Sequence, residues 1–126
     1  MASIINASVA SSGIVSTADA SGIIKVQSDG KNVTAGAWVN FNGVTTVTIR
    51  SQYNVSSVAR NSVGNYTINF TNAFSDANYA VASINDNTDN WSQILTLSAG
   101  SANMSCRDSG TTLQDATTYT AIFFGQ

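Results

Sequence analysis

The 126-residue sequence contains no histidine, no glutamate and no proline, and its only cysteine is Cys106. Histidine is the commonest general base and the commonest neutral metal ligand, so the usual centre of both kinds of site is missing. With glutamate absent, all seven acids are aspartates. A single cysteine excludes an internal disulfide framework. Charge is sparse as well: 10% of residues are charged, against about a quarter in an average domain. Leucine and lysine are scarce, so the strong helix formers other than alanine are nearly lacking. Serine, threonine and asparagine carry the polar surface, and these residues favour turns and strand faces over helix interiors. The composition therefore predicts one all-β domain, long enough to bury a core without staples.

The formal net charge is −2, and the five cations, Lys25, Lys31, Arg50, Arg60 and Arg107, are scattered. A nucleic-acid binder needs them clustered, so no nucleic-acid partner is expected. No apolar run approaches the roughly 18–20 residues of a membrane-spanning helix, and no membrane insertion is expected. The opening "MASIINASVASSG" is neither basic nor apolar enough for a signal peptide. Synthesis in a cytoplasm is the expectation, and the Asn-x-Ser/Thr triplets are read as products of composition.

Residues 1–36 differ in texture from the rest. They are rich in alanine, serine, glycine, isoleucine and valine, and hold a near-repeat, "SGIVSTAD" and "SGIIKVQSD". Such a segment has too few bulky side chains to bury a core alone, so it is expected to be extended and held by a partner. From residue 37 turn residues recur regularly. Strands are predicted near 37–41, 45–51, 55–60, 65–71, 78–85, 91–98, 102–107 and 117–124. "VARNSVGNYTINF" reads as a hairpin, with Tyr66, Ile68 and Phe70 on one face of its second strand. "YAVASI" and "YTAIFF" are almost continuously apolar, as expected of strands covered on both faces. The predicted fold is an antiparallel, jelly-roll-like β-sandwich over 37–126, with an extended N-terminal docking or oligomerisation segment over 1–36.

Sites of chemistry are few. There is no G-x-S-x-G elbow and no phosphate-binding glycine loop. Arg107 beside Cys106 could lower a thiol pKa, but a catalytic thiol usually needs histidine. Met104 and Cys106 read instead as alternate inward positions of a strand. No catalytic residue, cofactor or bound metal is expected. The densest cluster of oxygen donors is "NDNTDN", residues 85–90. Asp86, Thr88 and Asn90, or Asn85, Asn87 and Asp89, have the spacing of hard-cation ligands, yet the glycine and closing glutamate of a calcium loop are missing. The same residues are ordinary turn formers. Trp91 follows directly. An aromatic plate beside amides and carboxylates can hold a sugar, which makes Trp91, Asp86, Asp89 and Asn90 candidate glycan-binding residues. The alternative is that Trp91 begins a buried strand.

In "GAWVNFNG" the strand alternation sends Ala37, Val39 and Phe41 to one face and Trp38, Asn40 and Asn42 to the other. The second face should meet water, yet it carries a tryptophan. A subunit interface over Trp38, Asn40 and Asn42 is the preferred reading, because interfaces enrich tryptophan. Cover by the N-terminal segment, or a stacked sugar, would also explain it.

Residues 37–81 resemble a module common in tailed-phage virion proteins, especially the C-terminal parts of tail fibres. The resemblance is carried by "AWVNFNG", "VSSVARN", "GNYTINF" and "DANYAV". The opening segment also resembles the simple stretches that start phage fibre and head-decoration proteins. The resemblance implies a β-rich homotrimer, non-enzymatic, displayed on the virion as head decoration, head fibre, tail fibre or tail tip. It implies contacts with other virion proteins through the N-terminal segment and a role in host attachment. A free carbohydrate-binding, lectin-like module is the alternative in a different class.

Overall fold

The computed structural model describes residues 34–87 and 89–125, together with the backbone of residues 27–28 and 31–32. β1 (Gln27–Ser28) and β2 (Lys31–Asn32) form a short antiparallel pair. Apart from that pair and residues 34–36, the expected docking segment lies outside the described residues.

Eight further strands make the sandwich: β3 (Ala37–Asn42), β4 (Thr48–Tyr53), β5 (Val55–Ser62), β6 (Asn65–Phe70), β7 (Ala80–Asn85), β8 (Trp91–Ser98), β9 (Ser101–Arg107) and β10 (Tyr119–Phe124). Each matches one of the strands predicted from the sequence. The described residues contain no helix. One sheet has the order β4-β3-β10-β7 and the other β5-β6-β9-β8. Every pairing is antiparallel. The predicted hairpin is β5–β6, and Gly64 in its turn has φ +60°. β4 starts later than predicted because the chain first turns at 44–46. There the Asn42 side-chain oxygen accepts the Val44 N–H at 3.0 Å, and Thr45 takes φ 55°.

Strict alternation builds the core. Ala37, Val39 and Phe41 of β3 and Tyr119, Ala121 and Phe123 of β10 are buried against Tyr66, Ile68 and Phe70 of β6 and Ala102, Met104 and Cys106 of β9. At one end the rings of Phe41, Tyr66 and Tyr119 meet with centroids 5.1–5.7 Å apart. At the other, Phe70, Phe74, Tyr79 and Phe123 form a second ring cluster. Fully burying one large apolar side chain contributes about 1.5–3 kcal/mol, so these two clusters dominate the packing.

The expectation that "YAVASI" and "YTAIFF" are covered on both faces is not met. Among the described residues, two layers cover only one face of each strand. β10 is central, yet its Phe124 is exposed, and β7 is an edge strand whose Ile84 is 70% exposed. Among the described residues, continuous apolarity in these strands corresponds to an apolar outer surface, with no third layer over it.

Candidate functional site

Trp38 sits on the outer face of the first sheet, as the alternation requires, and is half-buried. Its cross-strand partners are Tyr53 on β4 and Ile122 on β10, and Ile122 in turn faces Ala82 on β7. An apolar row therefore crosses the whole sheet, from Tyr53 through Trp38 and Ile122 to Ala82. The amides beside Trp38 are engaged within the chain. Asn40 Nδ2 donates to Thr120 Oγ1 at 2.7 Å, and its Oδ1 accepts from Arg50 Nη1 at 3.5 Å. Asn42 caps the 44–46 turn. Of the three interface candidates, Trp38 alone presents an uncommitted apolar surface.

The Asx loop resolves into turn chemistry. Asn85 Oδ1 accepts the Asn87 N–H, and Asn87 Nδ2 donates to the Asp115 carbonyl. The Asp86 carboxylate takes a hydrogen bond from Thr117 Oγ1, while its N–H donates to the Thr118 carbonyl. Burial alone would raise the Asp86 pKa, but these hydrogen bonds outweigh it and hold the carboxyl below its ordinary value. Asn90 Nδ2 points inward to Cys106 Sγ at 3.6 Å. Asp89 is exposed, and Thr88 lies outside the described residues. Among the described residues no group of three or more acids or cysteines could hold a metal ion.

Trp91 is not the first buried residue of its strand: it is 43% exposed. Its indole N–H donates to the Asp108 carbonyl at 3.1 Å, which fixes the ring against the 108–114 loop. Opposite it in register is Arg107, whose Nε donates to Gln93 Oε1 at 3.1 Å and whose Nη1 donates to the Thr111 carbonyl at 2.8 Å. The four glycan candidates do not converge. Asp86 faces Thr117, Asn90 faces the core, and Trp91 leans on Asp108. The polar groups beside the Trp91 ring are Arg107 and Gln93, which the sequence reading did not select. Gln93 follows Trp91 by two residues on the same strand, outside the cluster "NDNTDNW", and only strand pairing brings Arg107 opposite it.

Cys106 and Met104 are fully buried inward residues of β9, as predicted. Burial pushes the Cys106 thiol up, which makes it a packing atom rather than a nucleophile.

The strongest polar cluster of the described residues was not anticipated. Arg60 on β5 grips Asp115 with Nε–Oδ1 at 3.0 Å and Nη2–Oδ2 at 2.7 Å. Asp115 Oδ1 also accepts the Gly64 N–H and the Tyr66 hydroxyl, each at 2.8 Å. The Tyr66 hydroxyl lies 3.2 Å from the Gly43 carbonyl as well. Burial alone would raise Asp115, but these donors outweigh it and bring its pKa down to about 2. The same burial, followed by the Asp115 hydrogen bond, pushes Tyr66 well above its ordinary value. This cluster ties the β5–β6 hairpin to the 108–118 loop and the end of β3. It is closed on itself, so its chemistry is that of a brace.

No protein-family model, no curated protein and no solved structure matches this chain.

Proposed function

We propose that the chain is a non-enzymatic structural protein of a tailed-phage virion, displayed on the particle surface as head decoration or fibre, or as tail fibre or tip. The observation that carries this reading is the pattern "AWVNFNG", "VSSVARN", "GNYTINF", "DANYAV" within residues 37–81. Its positions have structural roles that suit a scaffold module. Ala37, Val39 and Phe41 face the core, Arg60 grips Asp115, Gly64 makes the hairpin turn, and Tyr66, Ile68, Phe70 and Tyr79 are buried. The lack of histidine and glutamate supports a role without turnover. In this reading the Trp38 face is the subunit contact of a homotrimer, and the N-terminal segment docks on the particle.

The test is the protein content of purified particles. Mass spectrometry and immunogold labelling should find the chain on virions at many copies per particle. Deleting residues 1–33 should leave a folded sandwich that no longer joins them. Gly36 must be kept, because its N–H donates to the Phe123 carbonyl and its carbonyl accepts from Asn54. Particles that lack the chain altogether would end this reading.

The second reading, a carbohydrate-binding module, rests on one observation: Trp91 presents a fixed, half-exposed ring beside Arg107 and Gln93. Attachment of a virion to a host glycan would use the same surface.

A further inference from the structure

A sheet edge presents unpaired backbone donors and acceptors, and proteins block such edges with bulges, charges or very short strands. The sandwich has four edges, β4, β7, β5 and β8. Three are blocked. β4 is bulged at Arg50, which sits between the Asn40–Ser51 and Phe41–Ile49 pairs. β5 is bulged twice, at Ser56 and Asn61, and carries Arg60. β8 has no charge but is bulged at Leu95. Bulges bend a strand and break the even spacing that an added strand needs.

β7 has none of these protections. Its ladder with β10 runs without a shift from Asn85–Tyr119 to Ala80–Phe124, and its sequence, AVASIN, has no charge. Among the described residues no strand pairs with its outer side. The direction of its backbone groups follows from the alternation of an antiparallel ladder. The Asp86 N–H donates to the Thr118 carbonyl, so residues 84, 82 and 80 also turn their backbone groups towards β10. Val81, Ser83 and Asn85 turn theirs outward. Ile84 stands beside this open edge, the most exposed large apolar side chain of the described core domain.

We propose that β7 pairs antiparallel with β7 of a second copy of this chain, joining two four-stranded sheets into one. The absence of charge selects a second copy as the occupant. A two-fold contact sets the residue on the axis against its own counterpart and brings its neighbours diagonally close to theirs. An arginine there, as on β4 or β5, would repel itself, whereas β7 meets itself with Ser83 backbone groups and the Ile84 side chains. The contact is made through the backbone edge of β7, which borders the outer face that carries Trp38, so it doubles whatever assembly the Trp38 face makes.

The experiment is the mass of the full chain in solution, by light scattering and sedimentation, with circular dichroism as the check on folding. Wild type should contain an even number of copies. Ile84→Lys places like charges across the axis and should halve the mass. Ser83→Pro removes an outward N–H that β10 does not use and should do the same. Thr96→Lys, on the bulged β8 edge, should leave the mass unchanged. A wild type with an odd number of copies overturns the proposal, as does a mass that folded Ile84→Lys and Ser83→Pro both leave intact, or one that Thr96→Lys halves. Loss of three-fold association on changing Trp38, with sensitivity to Ile84→Lys retained, separates this contact from the trimer reading.

Discussion

Arg60 and Asp115 lie 55 residues apart in sequence and meet through two parallel hydrogen bonds, with the closest N–O distance at 2.7 Å. Their side chains retain 24% and 15% of their exposure, so the pair is partly shielded from water and stronger than a surface ion pair. Three further groups depend on the same carboxylate: the Gly64 N–H, the Tyr66 hydroxyl and, through Tyr66, the end of β3 at Gly43.

Acid should therefore weaken the fold through Asp115. Its pKa falls from 3.8 to about 2 on folding, so the folded state binds the proton less readily than the unfolded chain. The stabilisation is present in full above about pH 4 and is lost as pH falls towards 2. At about 1.4 kcal/mol per pKa unit, it amounts to about 2–3 kcal/mol. Asp115→Asn should cost a similar amount at neutral pH. Urea unfolding of both proteins between pH 6 and about pH 2 checks this: the gap between them should close in acid. A gap that stays constant would remove the ion pair from the account of acid stability.

Gly64→Ala should be more damaging than its size suggests. The residue has φ +60°, and an added Cβ would lie 2.6 Å from the Cys106 carbonyl oxygen and from backbone atoms of Gln114. Backbone strain of this kind costs about 1–3 kcal/mol, and the neighbouring backbone has no flexible end to yield. A thermal melt should show a clear drop, or no cooperative transition at all. An unchanged melting temperature would mean that the turn can rearrange freely.

Trp38→Ala tests the trimer. The side chain is only half-buried in one copy, between Tyr53 and Ile122, so the fold should survive its loss while the mass in solution falls to one third. Retention of the full mass by a folded variant would exclude the Trp38 face as the three-fold contact.

Trp91→Ala separates binding from packing. Full truncation of a buried aromatic costs about 3–5 kcal/mol. Trp91 is 43% exposed and keeps one hydrogen bond, to Asp108, so the expected loss is about 1–2 kcal/mol. In the glycan reading, binding to host cells or a glycan array disappears while the melt changes little. Arg107→Ala should weaken the same binding. Binding that survives both changes would leave this surface without a ligand role.

Local pattern was enough to locate every strand of the sandwich, because a period of two and a turn residue at each end are properties of neighbouring residues. It also placed Trp38 on the outer face, Tyr66, Ile68 and Phe70 on the inner one, and Met104 and Cys106 in the core. What local pattern could not contain was partnership between strands. The Arg60–Asp115 brace joins β5 to the loop before β10, the Arg107–Trp91 pair spans the β8–β9 hairpin, and the apolar row through Trp38 crosses β4, β3, β10 and β7. Their existence depends on the sheet orders β4-β3-β10-β7 and β5-β6-β9-β8. For the same reason the apolar run "YAVASI" was legible as a strand but not as an edge. Its residues are the same whether a neighbour lies on one side or on both; only the sheet order shows that, among the described residues, β7 ends its sheet with Ile84 exposed and no strand on its outer side.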